Sequence, residues 1–217
     1  MDQKLTAMNE EAIDDLQLCM DVTRKVGCWG DEDAYLGEHG GVLRVADTEV
    51  IAGKVRLFMV DIEGAREAGI SALDLLDFDG ATEPYIGLLS NEVAGNFCPA
   101  VTNLLGGEDM VFSNNMLIID RVELLPEYRG KGLGLKCLET CLRHFRLGCR
   151  VAAIKPFPLQ FESGAKESED WSGGMQLAEL SRNQAACTRR LRRYYSALGF
   201  RHVRGTDLMI LDLEPDA

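Results

Sequence analysis

Residues 118–145 read IIDRVELLPEYRGKGLGLKCLETCLRHF, and the fold turns on this stretch. The apolar run from Met116 to Leu125 predicts a buried strand, which Pro126 stops. Arg129-Gly130-Lys131-Gly132-Leu133-Gly134 then leads straight into a predicted helix, because Leu135, Leu138, Leu142 and Phe145 recur at three- and four-residue spacing. A strand, a glycine turn and a helix in that order can hold an anion. Glycines let the backbone turn tightly and come close to a ligand, and the first N–H groups of a helix have no partner within it. Phosphate is the usual occupant of such a place.

Downstream, Gly148 caps the helix and CRVAAIK predicts a second buried strand, ended by the PFP of residues 156–158. Residues 160–174 are polar, charged and glycine-bearing, which predicts an exposed insertion over a pocket, the whole insertion spanning 156–182. A helix is predicted from Gln176 to Leu198, closed by Gly199, and DLMILDL ends the chain as a strand. Upstream, Leu5, Met8, Ile13, Leu16, Met20 and Val22 lie among acids and predict an amphipathic helix over 5–26, with Arg24 and Lys25 at its C-terminal end. This gives a helical N-terminal extension over 1–40, including the turn-rich CWGDEDAYLGEHGG. From Val42 the runs VLRVA, EVIAG and KVRLFMVDI predict a small antiparallel section broken at Gly53. AREAGISALDLLDF and EPYIGLLSNEV return to helical spacing, and residues 94–115 carry no clear pattern. Interleaved strands and helices with one core predict a single α/β (α+β mixed) domain over 1–217, with a mixed sheet.

Composition excludes several functions. A net charge of −12 and a pI near 4.7 argue against a nucleic-acid partner, which calls for a basic face. No stretch is apolar for long enough to span a membrane, and the acidic N-terminus MDQKLTAMNEEAIDDL lacks the apolar region of a secretory signal, so the expected place is the cytoplasm. Seven cysteines form no Cys-x-x-Cys pair. Cys137 and Cys141 lie one helical turn apart, but buried thiols in a reducing compartment are the expectation, and no metal.

The glycine loop is not a Walker A motif, and it lacks the Gly-x-Gly-x-x-Gly spacing of a dinucleotide fold. Arg129, Gly132 and Gly134 follow Leu124 and Pro126, and Tyr195, Gly199 and Phe200 follow some sixty residues later. Together these resemble the GNAT superfamily of acyl-CoA-dependent N-acyltransferases, over about residues 115–213. The resemblance implies a central, mostly antiparallel sheet flanked by helices, with acetyl-CoA as cosubstrate. It implies that Gly130, Lys131, Gly132, Leu133 and Gly134, with Arg129, hold the pyrophosphate, and that the strand end at Leu124 and Leu125 binds the pantetheine arm.

It also implies direct attack of a primary amine on the thioester, with Tyr195 as the acid for the departing thiolate. For the base, alternation puts Ile118, Asp120, Val122 and Leu124 on one strand face, which makes Asp120 the candidate; a strand bulge would promote Glu123 instead. The Arg189, Arg190, Arg192 and Arg193 run reads as a solvated helix face, and Trp29 and Trp171 as pocket walls or packing anchors. The expected partner is an amine-bearing small molecule or peptide, with a homodimer left open. A module that binds CoA without turnover, acting as a sensor or partner subunit, is the alternative. Two departures from the family pattern stand out: about 40 residues separate the CRVAAIK strand from Tyr195, and the first 115 residues do not follow the usual order of elements.

Overall fold

The computed structural model describes residues 16–22, 32–91, 93–162 and 169–214. Its first segment, Leu16–Val22 (β1), is a strand, which corrects the helix predicted over 5–26 where the two overlap. The sequence LQLCMDV satisfies both periods. Half-buried Leu16, Leu18 and Met20 alternate with exposed Gln17, Cys19 and Asp21. Pairing decides, because this segment lies antiparallel against Leu36–Val45 (β2), from Leu16 opposite Val45 to Val22 opposite His39. The remainder of the predicted helix, and Trp29, lie outside the described residues.

The second strand starts at Leu36, inside the stretch read as turns, and pairs antiparallel with Ile51–Val60 (β3). The third strand is continuous, so Gly53 marks no break. It serves a close approach instead: a Cβ there would lie 2.3 Å from the Glu123 carbonyl oxygen on the neighbouring strand. Two short helices follow, Ile62–Glu67 (α1) and Ala72–Asp77 (α2), whose caps Asp61 and Ser71 accept from the Gly64 and Asp74 amides. A 3-10 turn at Glu83–Leu88 and the helix Pro99–Thr102 (α3) lead to Met116–Leu124 (β4) and Leu133–Phe145 (α4), as the decisive stretch predicts.

Then come Val151–Ile154 (β5), Glu169–Gly174 (α5), Gln184–Ser196 (α6), Arg201–His202 (β6) and Met209–Asp212 (β7). The long helix predicted from Gln176 begins only at Gln184. Gln176 takes a positive φ of 47°, and the Asn183 side chain accepts from the Ala186 amide, an N-cap that sets the start.

The seven strands form one sheet in the order β1-β2-β3-β4-β5-β7-β6, antiparallel except for the parallel pair β4–β5. β4 is central and buried on both faces. Met116 and Ile118 pack with α1, α2 and Tyr85, whereas Leu117 and Ile119 pack with Cys137, Leu138 and Cys141 of α4. Each such buried side chain contributes about 1.5–3 kcal/mol of transfer free energy. Cys137, Cys141 and Cys149 are buried as expected, but Cys19 is exposed and Cys98 and Cys187 are half-buried. Burial, with Asp61 nearby, pushes the Cys149 thiol up to about 11. Among the described residues no helix is long and apolar enough to cross a membrane, and no group of three or more His, Cys, Asp or Glu could hold a metal ion.

Candidate functional site

β4 and β5 pair from Met116 opposite Val151 to Ile119 opposite Ile154, and then part. Sequence explains both sides of the split. β5 runs into Lys155-Pro156-Phe157-Pro158, and proline cannot donate to a ladder. On β4, Arg121 pairs with Arg56 and Ile119 with Leu57, so Asp120 has no partner on β3. The bulge left open at the level of sequence is therefore present.

The bulge also inverts the alternation. Val122 packs in the same cluster as Leu117 and Ile119, and Leu124 Cδ1 approaches within 3.7 Å of where a Cβ would stand on Gly134 of α4. This corrects the reading that placed Val122 and Leu124 on the Ile118 face. An extra residue shifts every later side chain by one place.

Between the parted strands lies a cavity of about 530 Å³. Asp120–Leu124 form one wall, Phe157–Gln160 another, the glycine loop and α4 the floor, and α6 with Tyr194 and Tyr195 the end. The described part of the insertion lines it through Met175, Leu177, Leu180 and Ser181. Of the residues expected at the donor site, Leu124, Arg129, Gly130, Gly132, Leu133 and Gly134 line this cavity. Lys131 is exposed and Leu125 sends its amide the other way, to the Ala52 carbonyl at 3.0 Å.

Gly130 and Gly132 have φ of +74° and +76°, and a Cβ on either would meet nothing within 4 Å. Their conformation suits glycine, and the loop faces open space at the start of a helix, an arrangement into which a pyrophosphate fits. Arg129 is engaged elsewhere. Its Nε donates to the Leu124 carbonyl at 2.8 Å and its Nη2 to the Met175 carbonyl at 2.6 Å, which buckles the strand end to the insertion. Burial lowers the Arg129 pKa, partly offset by Glu127.

The two adjacent tyrosines meet edge to face, ring centroids 5.6 Å apart, but make different further contacts. Tyr194 puts its hydroxyl at the head of α4, 2.5 Å from where a Cβ would stand on Gly134. Burial raises its pKa, and a hydrogen bond from the Leu135 amide opposes that. Tyr195 turns to Phe200, with ring centroids 6.3 Å apart, and lines the cavity. Burial, and then Tyr194, push its phenol well above the usual tyrosine range, so it stays protonated. Tyr85, in the 3-10 turn, is a third phenol raised by burial, with Asp120 and Tyr195 adding to the shift and a hydrogen bond from the Lys155 amide opposing it. Nothing in the sequence around Tyr85 marks it.

The carboxylates form a network. Asp120 Oδ2 accepts from Arg56 Nε at 2.8 Å and from Arg121 Nε at 3.2 Å. Glu123, with only 5% of its side chain exposed, accepts from Arg121 Nη1 at 3.2 Å on Oε1 and from the Trp171 indole at 2.7 Å on Oε2. Arg121 also reaches Glu162 at 2.7 Å. Burial opposes the charge of Arg121, but Glu162, Asp120 and Glu123 outweigh it and raise its pKa. Sequence alone signalled Asp120 and Glu123 but not Arg121, whose charge reads as an ordinary outward-facing one. In the arginine run, Arg192 pairs with Asp207 at 3.1 Å, Arg189 and Arg193 are exposed, and Arg190 reaches the cavity wall.

Comparison with protein-family models and with curated proteins finds no match for this chain. The functional reading therefore rests on the geometry and on the resemblance of its motifs.

Proposed function

We propose that this protein is an acyl-CoA-dependent N-acyltransferase that moves an acetyl group to a primary amine of a small molecule or peptide. The observation that carries the reading is the split between β4 and β5. It leaves Asp120–Leu124 without a β5 partner along a cavity that runs from an open glycine loop to a half-buried tyrosine that stays protonated. Unpaired strand backbone suits an extended chain bearing amides, and the loop at the head of α4 suits its pyrophosphate.

Acetyl-CoA would supply the thioester. The residues of this chain would hold it, take a proton from the substrate ammonium so that the neutral amine attacks the thioester carbonyl, and give one to the sulfur as the C–S bond breaks. Tyr195 is the proton donor. Glu123 is the acceptor in preference to Asp120: two guanidinium groups, of Arg56 and Arg121, contact Asp120, whereas Glu123 meets one, of Arg121, and a neutral indole.

The test is acetyl-CoA titrated against the melting temperature, then thiol release across a panel of amines. A ligand at a hundred times its Kd stabilises by about 2.7 kcal/mol. No stabilisation at millimolar acetyl-CoA would sink the reading. A second reading, a module that binds CoA without turnover, is favoured by Asp120 standing locked between two arginines. Stabilisation without thiol release, with Tyr195→Phe silent, would select it.

A further inference from the structure

Glu123 is the most deeply buried carboxylate at the cavity, and both its oxygens are held. One donor, Arg121, lies two residues away on the same strand. The other comes from the insertion, through the Trp171 indole at 2.7 Å. The opposite partner of Glu123 across the sheet is Lys54, and the Lys54 ammonium lies 4.4 Å from the centre of the Trp171 ring. The indole is thus pinned twice, by a cation against its face and by a carboxylate at its N–H.

The same piece of chain is tied a second time, one turn later. The Met175 amide donates to the Trp171 carbonyl at 3.0 Å, and the Met175 carbonyl accepts from Arg129 at 2.6 Å. Arg129 in turn holds the Leu124 carbonyl, the residue beside Glu123. Two tethers four residues apart, one on α5 and one just past its end, therefore meet two adjacent residues at the end of β4. A segment that served only as an exposed loop would need neither.

We propose that Trp171 is the positioning residue of the catalytic carboxylate: its indole N–H fixes Glu123 so that the carboxylate faces the cavity, and the insertion supplies that donor. This rests on the reading of the protein as an N-acyltransferase with Glu123 as the base. A carboxylate held by two donors loses rotamer freedom, and a displacement of about 1 Å in a reacting group costs on the order of a hundredfold in rate. The Trp171→Phe variant removes the N–H donor and keeps a ring for Lys54. Thiol release at saturating amine should fall roughly ten- to a hundredfold, with the KM for acetyl-CoA and the CoA-induced rise in melting temperature unchanged.

Two further measurements separate positioning from packing. In a Glu123→Gln background, Trp171→Phe should have no further effect on kcat; additive losses would overturn the proposal. In a protein carrying ¹⁵N-labelled indoles, Glu123→Gln should shift the Trp171 N–H resonance, and an unmoved Trp171 resonance would also overturn the proposal. Trp171→Phe with full kcat, or with acetyl-CoA affinity lost in step with kcat, sinks the inference alone. Absence of thiol release from the unaltered protein, with acetyl-CoA still bound, sinks the catalytic reading and the inference together.

Discussion

The two halves of β4 differ in pairing, burial and charge. Met116–Ile119 is paired on both edges, to β3 and to β5, and all four side chains are fully buried. Asp120–Leu124 is paired only to β3, is interrupted by a bulge, and carries three ionisable side chains tied into a network. The first half has no polar side chain and no room, so it can only hold the sheet together. The second has a free edge, charge and a cavity. The boundary between a structural and a chemical segment falls within one strand, at the residue where β5 ends and the bulge begins.

If that division is right, the largest change should come from the paired half. Ile118→Ala should cost about 2–5 kcal/mol, as expected for a fully buried aliphatic residue. In a chain of this length each kcal/mol lowers the melting temperature by about 2–4 °C. The stabilisation gained from acetyl-CoA should persist, and its disappearance would break the division. Asp120→Asn in the free half should cost less, about 1–3 kcal/mol, because its partners are only partly buried and Arg121 keeps Glu123 and Glu162. Chemical denaturation measures both, and an Asp120→Asn loss equal to that of Ile118→Ala would make the bulge structural.

A smaller effect concerns alkaline pH. Burial raises the folded-state pKa of Tyr85, Tyr194 and Tyr195 above the ordinary tyrosine value of 10.0. A raised folded pKa means that the stability is fully present below about pH 10 and is lost as pH climbs beyond it. Melting temperatures should thus begin to fall above about pH 9, where the raised Cys149 thiol contributes, and fall further above about pH 10, less steeply there in Tyr195→Phe. The same shift places any basic limb of the rate profile that reports Tyr195 above about pH 10, and a limb near pH 8 would remove Tyr195 from the role of acid.

The free half and its surroundings were unevenly legible. The strand, loop and helix from Met116 to Phe145 could be read because two periods meet there with a proline and glycines between them. The sequence LQLCMDV could not, since alternating apolar residues within a longer amphipathic run fit both periods until β2 is placed beside them. Gly53 misled for a related reason: a glycine required by a neighbouring strand looks the same in sequence as one that ends a strand. The Asp120 bulge has no local signature, so the faces beyond it could be stated only as alternatives. Trp171 could be read only as a pocket wall or a packing anchor, because its bond to Glu123 spans 48 positions in sequence and depends on a segment with no periodicity.

The smallest expected effect asks what Gly134 is for. Alanine is better than glycine by roughly 1 kcal/mol in the middle of a helix, an upper bound for Gly134, the second residue of α4. At Gly134 the added Cβ would stand 2.5 Å from the Tyr194 hydroxyl but 3.6 Å from the ring carbon that bears it. The hydroxyl is the end of a side chain and can move, so Gly134→Ala should change stability by less than about 1 kcal/mol, with the helix gain offset by displacement of Tyr194. Removing the hydroxyl removes the conflict, so Gly134→Ala in a Tyr194→Phe background should stabilise by up to about 1 kcal/mol. If the acetyl-CoA effect on melting temperature survives in that double variant, Gly134 is there to admit Tyr194. Its loss in both backgrounds would mean that the absent Cβ makes room for the ligand, and would extend the chemical half of the site from the end of β4 into the first turn of α4.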